Sequence, residues 1–300
     1  MKFWIFLTTM YFFQIWKTKM NQFGRISELK IVAAQNKKGK TFIKDSFFTS
    51  PFKIMKPFLR SNGGITVFQQ TASAGIMAGD QQNHSFIVEN GAILELVSQS
   101  FEKIFKMEDN GSAERKINSS VEHGGTLIYT PLPCMPFAGS NFFTRTKISL
   151  EDNSSKLLYQ DCICAGRKAS GELFDYKKYH NLIEIECAGK LVYRDNTLFE
   201  GSDCGKFPEK KEFLKTAAMY GNYSHLGSML IFNYNLKPLD IMNFLQIEKK
   251  LLYNAENIVE IKKSAPLVGI TSTEGNGIAV RVLANSAEQV QQIFEKIKIN

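Results

Sequence analysis

"VENGAILELV" (residues 88–97) and "VEHGGTLIYT" (residues 121–130) share one pattern, Val-Glu-x-Gly-small-x-Leu, set 33 residues apart. An acid, a small-residue turn and then a run of apolar and β-branched residues is how a turn feeding a strand is written. The theme returns in "LEDNSSKLLY" (150–159) and "IEIECAGKLVY" (183–193). Aligning the turns puts Leu94, Leu127, Leu157 and Leu191 in one column at intervals of 33, 30 and 34 residues. A hairpin-sized unit recurring at that interval predicts strands stacked rung upon rung around one elongated core. The same words also belong to the ordinary turn-and-strand vocabulary of all-β chains. Either reading makes the architecture β-dominated.

Working outward from these stretches, the chain from residue 40 alternates short Val, Ile, Phe, Tyr and Thr runs with Gly, Asn, Asp and Ser. Strands are expected at Thr41–Ile43, Gly64–Gln69, His84–Val88, Ile93–Gln99, Thr126–Thr130, Phe142–Leu150, Lys156–Cys164, Leu182–Cys187, Lys190–Arg194 and Ser228–Phe232. Helical periodicity supports two helices, Leu239–Leu252 and Ala287–Lys298. In the second, Val290, Ile293, Phe294 and Ile297 fall on one face and Ser286 is placed to cap the start.

With 300 residues, 44% hydrophobic and 22% charged, the composition is that of a globular chain able to bury a substantial core. The formal charge of +8 suits an acidic partner or surface. No Lys/Arg block accompanies it, so a nucleic-acid footprint is not expected. Five cysteines at 134, 162, 164, 187 and 204 make no regular framework, which favours a reducing, cytoplasmic setting over a disulfide scaffold. Residues 1–19 stand apart. Their apolar run, Phe3 to Trp16, is shorter than the roughly 20 residues a membrane helix needs, and no signal-peptidase site follows it. We expect residues 1–19 to be an apolar N-terminal extension outside the fold, with Met20 a plausible start and 20–300 a single β domain. Losing the extension would remove Lys2, Lys17 and Lys19 and lower the charge to +5.

Chemical signatures are sparse. Cys162 and Cys164 are two apart on an expected strand and could meet one ion, but no second Cys/His pair lies nearby and core packing explains them better. The histidines at 84, 123, 180 and 225 are scattered, so a permanent zinc site is not expected. Neither G-x-S-x-G, a phosphate loop nor a dinucleotide fingerprint occurs. Acids recur near tight turns, as Gly79-Asp80, Gly171-Glu172 and Asp195 after "LVYR". An acid in a turn is usually solvated or caps backbone.

Several stretches taken together, in order, are similar to one family, the urease accessory proteins UreD, also called UreH. They are "FFTSPFKIMKPF" (47–58), "SAGIMAGD" (73–80), "GAILELVSQSFEKIFKM" (91–107), "GGTLIYTPLPCMPFAGSNF" (124–142), "LLYQDCICAGRKASGELFDY" (157–176), "GKLVYRDNTLF" (189–199), "YGNYSHLGSML" (220–230) and the tail 269–297. The resemblance implies a mainly β, elongated, β-helix-like stack of strands with about two helices, one near the C-terminus. It also implies a non-enzymatic maturation factor that joins UreF and the GTPase UreG on apo-urease, as a dimer of heterocomplexes. Such a factor helps nickel reach the urease active site, with no permanently bound cofactor, no nucleic acid and no membrane. Nickel would pass transiently along an internal passage, which needs oxygen ligands that release it again. Asp80 of "AGD" and Glu172 of "GE" are the acids at matching positions. Ser98 and Lys103 of "SQSFEK" could line a passage or close a turn. Arg167 is expected to pair with a carboxylate, and His225 of "YSHLG" to serve an interface, a metal or the core.

Three features depart from the family pattern: loops at Asn36–Lys40 and "KFPEKKEF" (206–213), the Cys162/Cys164 pair, and the apolar leader. A competing reading makes Asp80 and Glu172 the acid and base of a hydrolase or lyase, which requires the two carboxyls to converge in one cleft.

Overall fold

The recurring segment closes a coil because each copy turns the chain from one sheet onto another. The computed structural model describes residues 26–108, 110–245 and 265–297. The leader 1–19 and the second half of the expected helix 239–252 lie outside the described residues. The first sheet orders β15 (Lys190–Glu200), β14 (Lys178–Cys187), β12 (Asn141–Leu150), β9 (Ala113–Val121), β6 (Gln81–Val88), β1 (Ile26–Gln35) and β2 (Thr41–Phe48). The second orders β17 (Leu267–Thr273), β18 (Gly277–Ala284), β16 (His225–Phe232), β13 (Lys156–Cys164), β10 (Thr126–Thr130), β7 (Ile93–Ser98), β5 (Ile65–Thr71) and β3 (Phe52–Ile54). Three short strands, β4 (Phe58–Leu59), β8 (Glu102–Ile104) and β11 (Cys134–Pro136), extend the second sheet.

From β5 to β14 the chain alternates between the sheets, and successive passes pair in parallel. This is a β-solenoid-like stack. Register puts Ile65 beside Leu94, Leu94 beside Leu127 and Leu127 beside Leu157, all fully buried. The sequence column is therefore a physical ladder for three of its four leucines. On the other sheet Ala33, Val88, Val121, Leu150 and Cys187 form a matching ladder. The acid of the pattern caps corners: Glu122 accepts the Asn90 N–H at 3.1 Å, and Glu151 accepts the His123 N–H at 2.8 Å.

Leu191 does not join the ladder. Ala188 and Gly189 both take positive φ, 50° and 75°, and the chain doubles back as a two-residue hairpin onto β14. Leu191 thus lies on antiparallel β15, in the first sheet, and is 51% exposed. The fourth repeat is where coiling ends. The segment 206–213, read as a loop, contains most of a helix, α1 (Pro208–Leu214), with proline at its first position, where the missing N–H costs nothing. The next helix, α2 (Pro238–Leu245), begins where expected, and α3 (Ala287–Lys296) follows Ser286, whose hydroxyl accepts the Gln289 N–H at 3.3 Å. Val290, Phe294 and Ile297 of the expected face are buried, with Ile293 packed beside them. They cover the outer face of the second sheet.

Candidate functional site: a polar seam between two apolar clusters

Inward-facing side chains between the sheets fall into two apolar clusters. One contains Phe86, Val88, Leu94, Leu127, Leu157 and Ile185; the other contains Ile76, Ile104, Phe142, Phe174, Tyr176 and Tyr179. Strand after strand, the residue between the clusters is polar. Along β9, Arg115 separates Ala113 from Ile117; along β12, Thr144 and Thr146 separate Phe142 from Ile148. On β14, Asn181 separates Tyr179 from Ile183, and on β13 Asp161 separates Tyr159 from Ile163. Strand alternation fixes these directions, because residues two apart share a face. Charged and amide groups at such positions are costly unless paired, and here they are paired except at Asn181 Oδ1, which is buried with no hydrogen-bond partner among the described residues.

Arg115 donates twice to Gln82 Oε1, at 2.9 and 2.6 Å, and once to Glu102 Oε2 at 2.5 Å. Burial opposes its charge, and the Glu102 carboxylate more than offsets that, so the guanidinium stays protonated. The Tyr129 phenol is pushed up to about 12, chiefly by burial, and feels Arg115, Glu102 and Asp161. Tyr159 donates its hydroxyl to Asp161 Oδ2 at 3.4 Å, and Asn181 Nδ2 donates to the same oxygen at 2.9 Å. Burial raises the Asp161 pKa, while the Arg281 charge works against the rise. Arg281 in turn bonds Asp195 and, at 3.2 Å, the Tyr193 hydroxyl; Thr197 donates to Asp195 at 3.1 Å.

The seam thus runs from Glu102 to Arg281. At the Glu102 end it meets a cavity of about 240 Å³ lined by Gln69, Gly75, Ser98, Glu102 and Lys103 among others. Near Arg281 lies a space of about 10 Å³, room for one water, lined by Asp161, Asn181, Asp195, Ser228 and Arg281. Among the described residues, no three His, Cys, Asp or Glu side chains are grouped to hold a metal ion together. The seam offers Glu102 alone at one end and Asp161 with Asp195 at the other.

The residues singled out in the sequence fall into three groups. Ser98 and Lys103 line the cavity, and Ser98 Oγ also accepts the Leu132 N–H at 2.6 Å, so it both lines and closes a turn. "SAGIMAGD" forms part of that rim. Gly75 has φ 157° there, and a Cβ would sit 2.4 Å from the Lys103 carbonyl oxygen, so no side chain fits. Asp80 is half-buried and caps its own turn, accepting the Met77 N–H at 2.8 Å. Glu172 is held by Arg167 through both oxygens and accepts the Ala138 N–H at 3.2 Å. Arg167 holds its carboxyl below the usual carboxylate range and stacks on Phe137 at 4.2 Å. Asp80 leads into β6 and Glu172 into β14, with β9 and β12 between those strands in the first sheet, and Glu172 reaches back to Ala138 in the turn before β12. The two carboxylates do not share a cleft.

His225 lies at the start of β16, 9% exposed, with Nδ1 3.0 Å from Ser224 Oγ; burial and Lys168 lower its pKa to about 4. Cys162 and Cys164 face outward from β13. Cys162 packs with Val290 and Phe294, and burial pushes both thiols up, Cys164 to about 12, so neither supplies a thiolate at neutral pH. Core packing accounts for the pair.

Glu102, Arg115, Asp161 and Arg281 were not singled out in the sequence, and Asp195 was read as a turn acid although it sits mid-strand in β15. A signal existed. In "KLLYQDCIC" Asp161 has the parity of Leu157, Tyr159 and Ile163, and in "AERKINSSV" Arg115 has that of Ala113 and Ile117.

Fold and seam together define a class: a β-coil protein whose charged interior groups are strung along a line instead of gathered in a cleft. The chain belongs to the UreD urease accessory protein family, whose model matches residues 27–299. A urease accessory protein UreD from Acetivibrio thermocellus is 32% identical over 279 residues, covering 93% of this chain and 98% of its own. A urease accessory protein UreH from Helicobacter pylori strain P12 is 30% identical over 278 residues, 93% of this chain and 96% of its own. A UreD from Flavobacterium johnsoniae is 30% identical over 274 residues, 91% of each. No helix among the described residues is long and apolar enough to cross a membrane.

Proposed function

We propose that this urease accessory protein is a cytoplasmic, non-catalytic scaffold that joins UreF and the GTPase UreG on apo-urease and conducts nickel towards the urease active site through its polar seam. One observation carries the reading: a line of hydrogen-bonded polar groups, Glu102, Arg115, Tyr159, Asp161, Asn181 and Asp195, threads the interior between two apolar clusters. Such a line costs stability compared with apolar packing, and a role in moving a cation accounts for the cost. Carboxylates presented one or two at a time bind Ni²⁺ weakly enough to pass it on, where a Cys/His cage would keep it. Nucleotide chemistry falls to UreG, since this chain has no phosphate loop.

The test is co-expression with urease and the other accessory proteins, followed by purification of the assembled complex and measurement of nickel in urease. Asp161→Asn and Asp195→Asn are expected to leave the complex intact and lower nickel loading several-fold. Asp80→Ala and Glu172→Ala are expected to lower it as well, Glu172→Ala with the added loss of the Arg167 clamp. Full loading in Asp161→Asn and Asp195→Asn would overturn conduction through the seam and leave the scaffold role standing.

A further inference from the structure

A passage for a cation has no obvious use for fixed positive charge, yet two guanidiniums stand in this seam. Arg115 is 8% exposed, and the Arg281 side chain is 35% exposed where the seam nears the surface. Each makes an ion pair that crosses between the sheets: Arg115 on β9 reaches Glu102 on β8, and Arg281 on β18 reaches Asp195 on β15. The two pairs lie at opposite ends of the seam, Glu102 bordering the larger cavity and Asp195 the one-water space. Each guanidinium also holds a second, neutral acceptor. Arg115 has Gln82 Oε1 at 2.9 and 2.6 Å, and Arg281 has the Tyr193 hydroxyl at 3.2 Å. A guanidinium presents five donors in a fixed fork, so it can release a carboxylate and keep a hydrogen bond.

We propose that Arg115–Glu102 and Arg281–Asp195 are exchangeable ion pairs that gate the seam, an inference that rests on the conduction reading above. At rest each arginine compensates its carboxylate and bars cation entry. A divalent cation, carrying twice the charge, takes the carboxylate, and the guanidinium retreats to Gln82 or Tyr193. When the ion moves on, the pair re-forms behind it. Monovalent cations bring no excess charge to compete with a guanidinium already in place, so the gates favour a divalent ion.

The test uses the full-length chain purified in complex with its accessory partners and titrated with nickel chloride, with nickel release to a chelator followed in time. Arg115→Met and Arg281→Met free the carboxylates; they are expected to tighten Ni²⁺ binding at least fivefold and slow its release. Gln82→Met and Tyr193→Phe remove the resting places without changing charge. They are expected to weaken Ni²⁺ binding by a fewfold, the opposite sign, which a purely structural role for these residues would not give. Tyr193→Phe, the mildest change, keeps the test open if an arginine variant does not fold. Unchanged binding in the arginine variants that fold, or effects of the same sign in both sets, would overturn the gate. If Asp161→Asn and Asp195→Asn lower urease loading while the gating variants bind nickel as the unmodified chain does, conduction stands and only the gates fall. If those two load urease normally, conduction itself fails.

Discussion

His123 and Asp152 sit on adjacent corners of the coil, with Nδ1 2.7 Å from Oδ2, and Ser154 bonds the same carboxylate at 2.5 Å. The hydrogen bond to Asp152 raises the His123 pKa above 6.5, and hydrogen bonds from Ser154 and His123 hold Asp152 below 3.8. A raised histidine stabilises fully below its unfolded value and loses that contribution as pH rises through the folded one. A lowered aspartate stabilises above its unfolded value and loses it as pH falls. The pair is therefore worth most between about pH 4 and 6.5. Thermal unfolding of His123→Ala should show a small deficit at pH 6 that closes by about pH 9; a deficit that grows with pH would contradict the assignment. At Gly75 the effect is steric. Gly75→Ala drives a Cβ to within 2.4 Å of the Lys103 carbonyl oxygen and 2.7 Å of the Phe105 ring, so denaturant unfolding should register a loss of about 1–3 kcal/mol.

Among elements, the coil rests on its leucine ladders. Leu127 is fully buried between Leu94 and Leu157, and Leu127→Ala should cost about 2–5 kcal/mol in denaturant unfolding. Leu191, its counterpart in sequence, is exposed on β15, and Leu191→Ala should stay within about 0.5 kcal/mol. Equal costs would mean that the hairpin at Ala188–Gly189 does not end the coil. That contrast also marks how far the sequence could be read. Strands such as Lys156–Cys164 and Thr126–Thr130 were legible because apolar residues dominate them and turns bound them. The strand β9, "AERKINSSV", was not, since five of its nine residues are polar or charged on the outward face or in the seam, leaving too few apolar positions to set a period. The strand β1, "ISELKIVAAQ", was hidden in the same way by its charged outward residues, and β18 by its near-continuous burial, which erases alternation. The candidate site was legible only at its rim. Ser98 and Lys103 stood out by family position, whereas Asp195 looks like any turn acid until its strand is known to run on to Glu200.

For the molecule as a whole, the seam divides what could have been one apolar core into two. That division should be visible in the pH dependence of stability. Burial raises the Asp161 pKa above its ordinary 3.8, so between those values the folded state binds more protons than the unfolded one. Stability then falls as pH rises through the window. Asp161→Asn keeps the shape of the side chain and removes the titration. Its melting temperature relative to the unmodified protein should therefore become more favourable as pH climbs above about 4, while nickel loading of urease falls in the same variant. A variant both more stable at neutral pH and poorer in delivery is the signature of a group retained at a cost to the fold. If the difference in melting temperature were flat across that range, Arg281 and the hydrogen bonds to Asp161 would offset its burial in full, and the carboxylate would be ionised in the folded protein. Asp161 would then be an acid held in the seam at no cost to the fold, and the link between lost stability and delivery would fail.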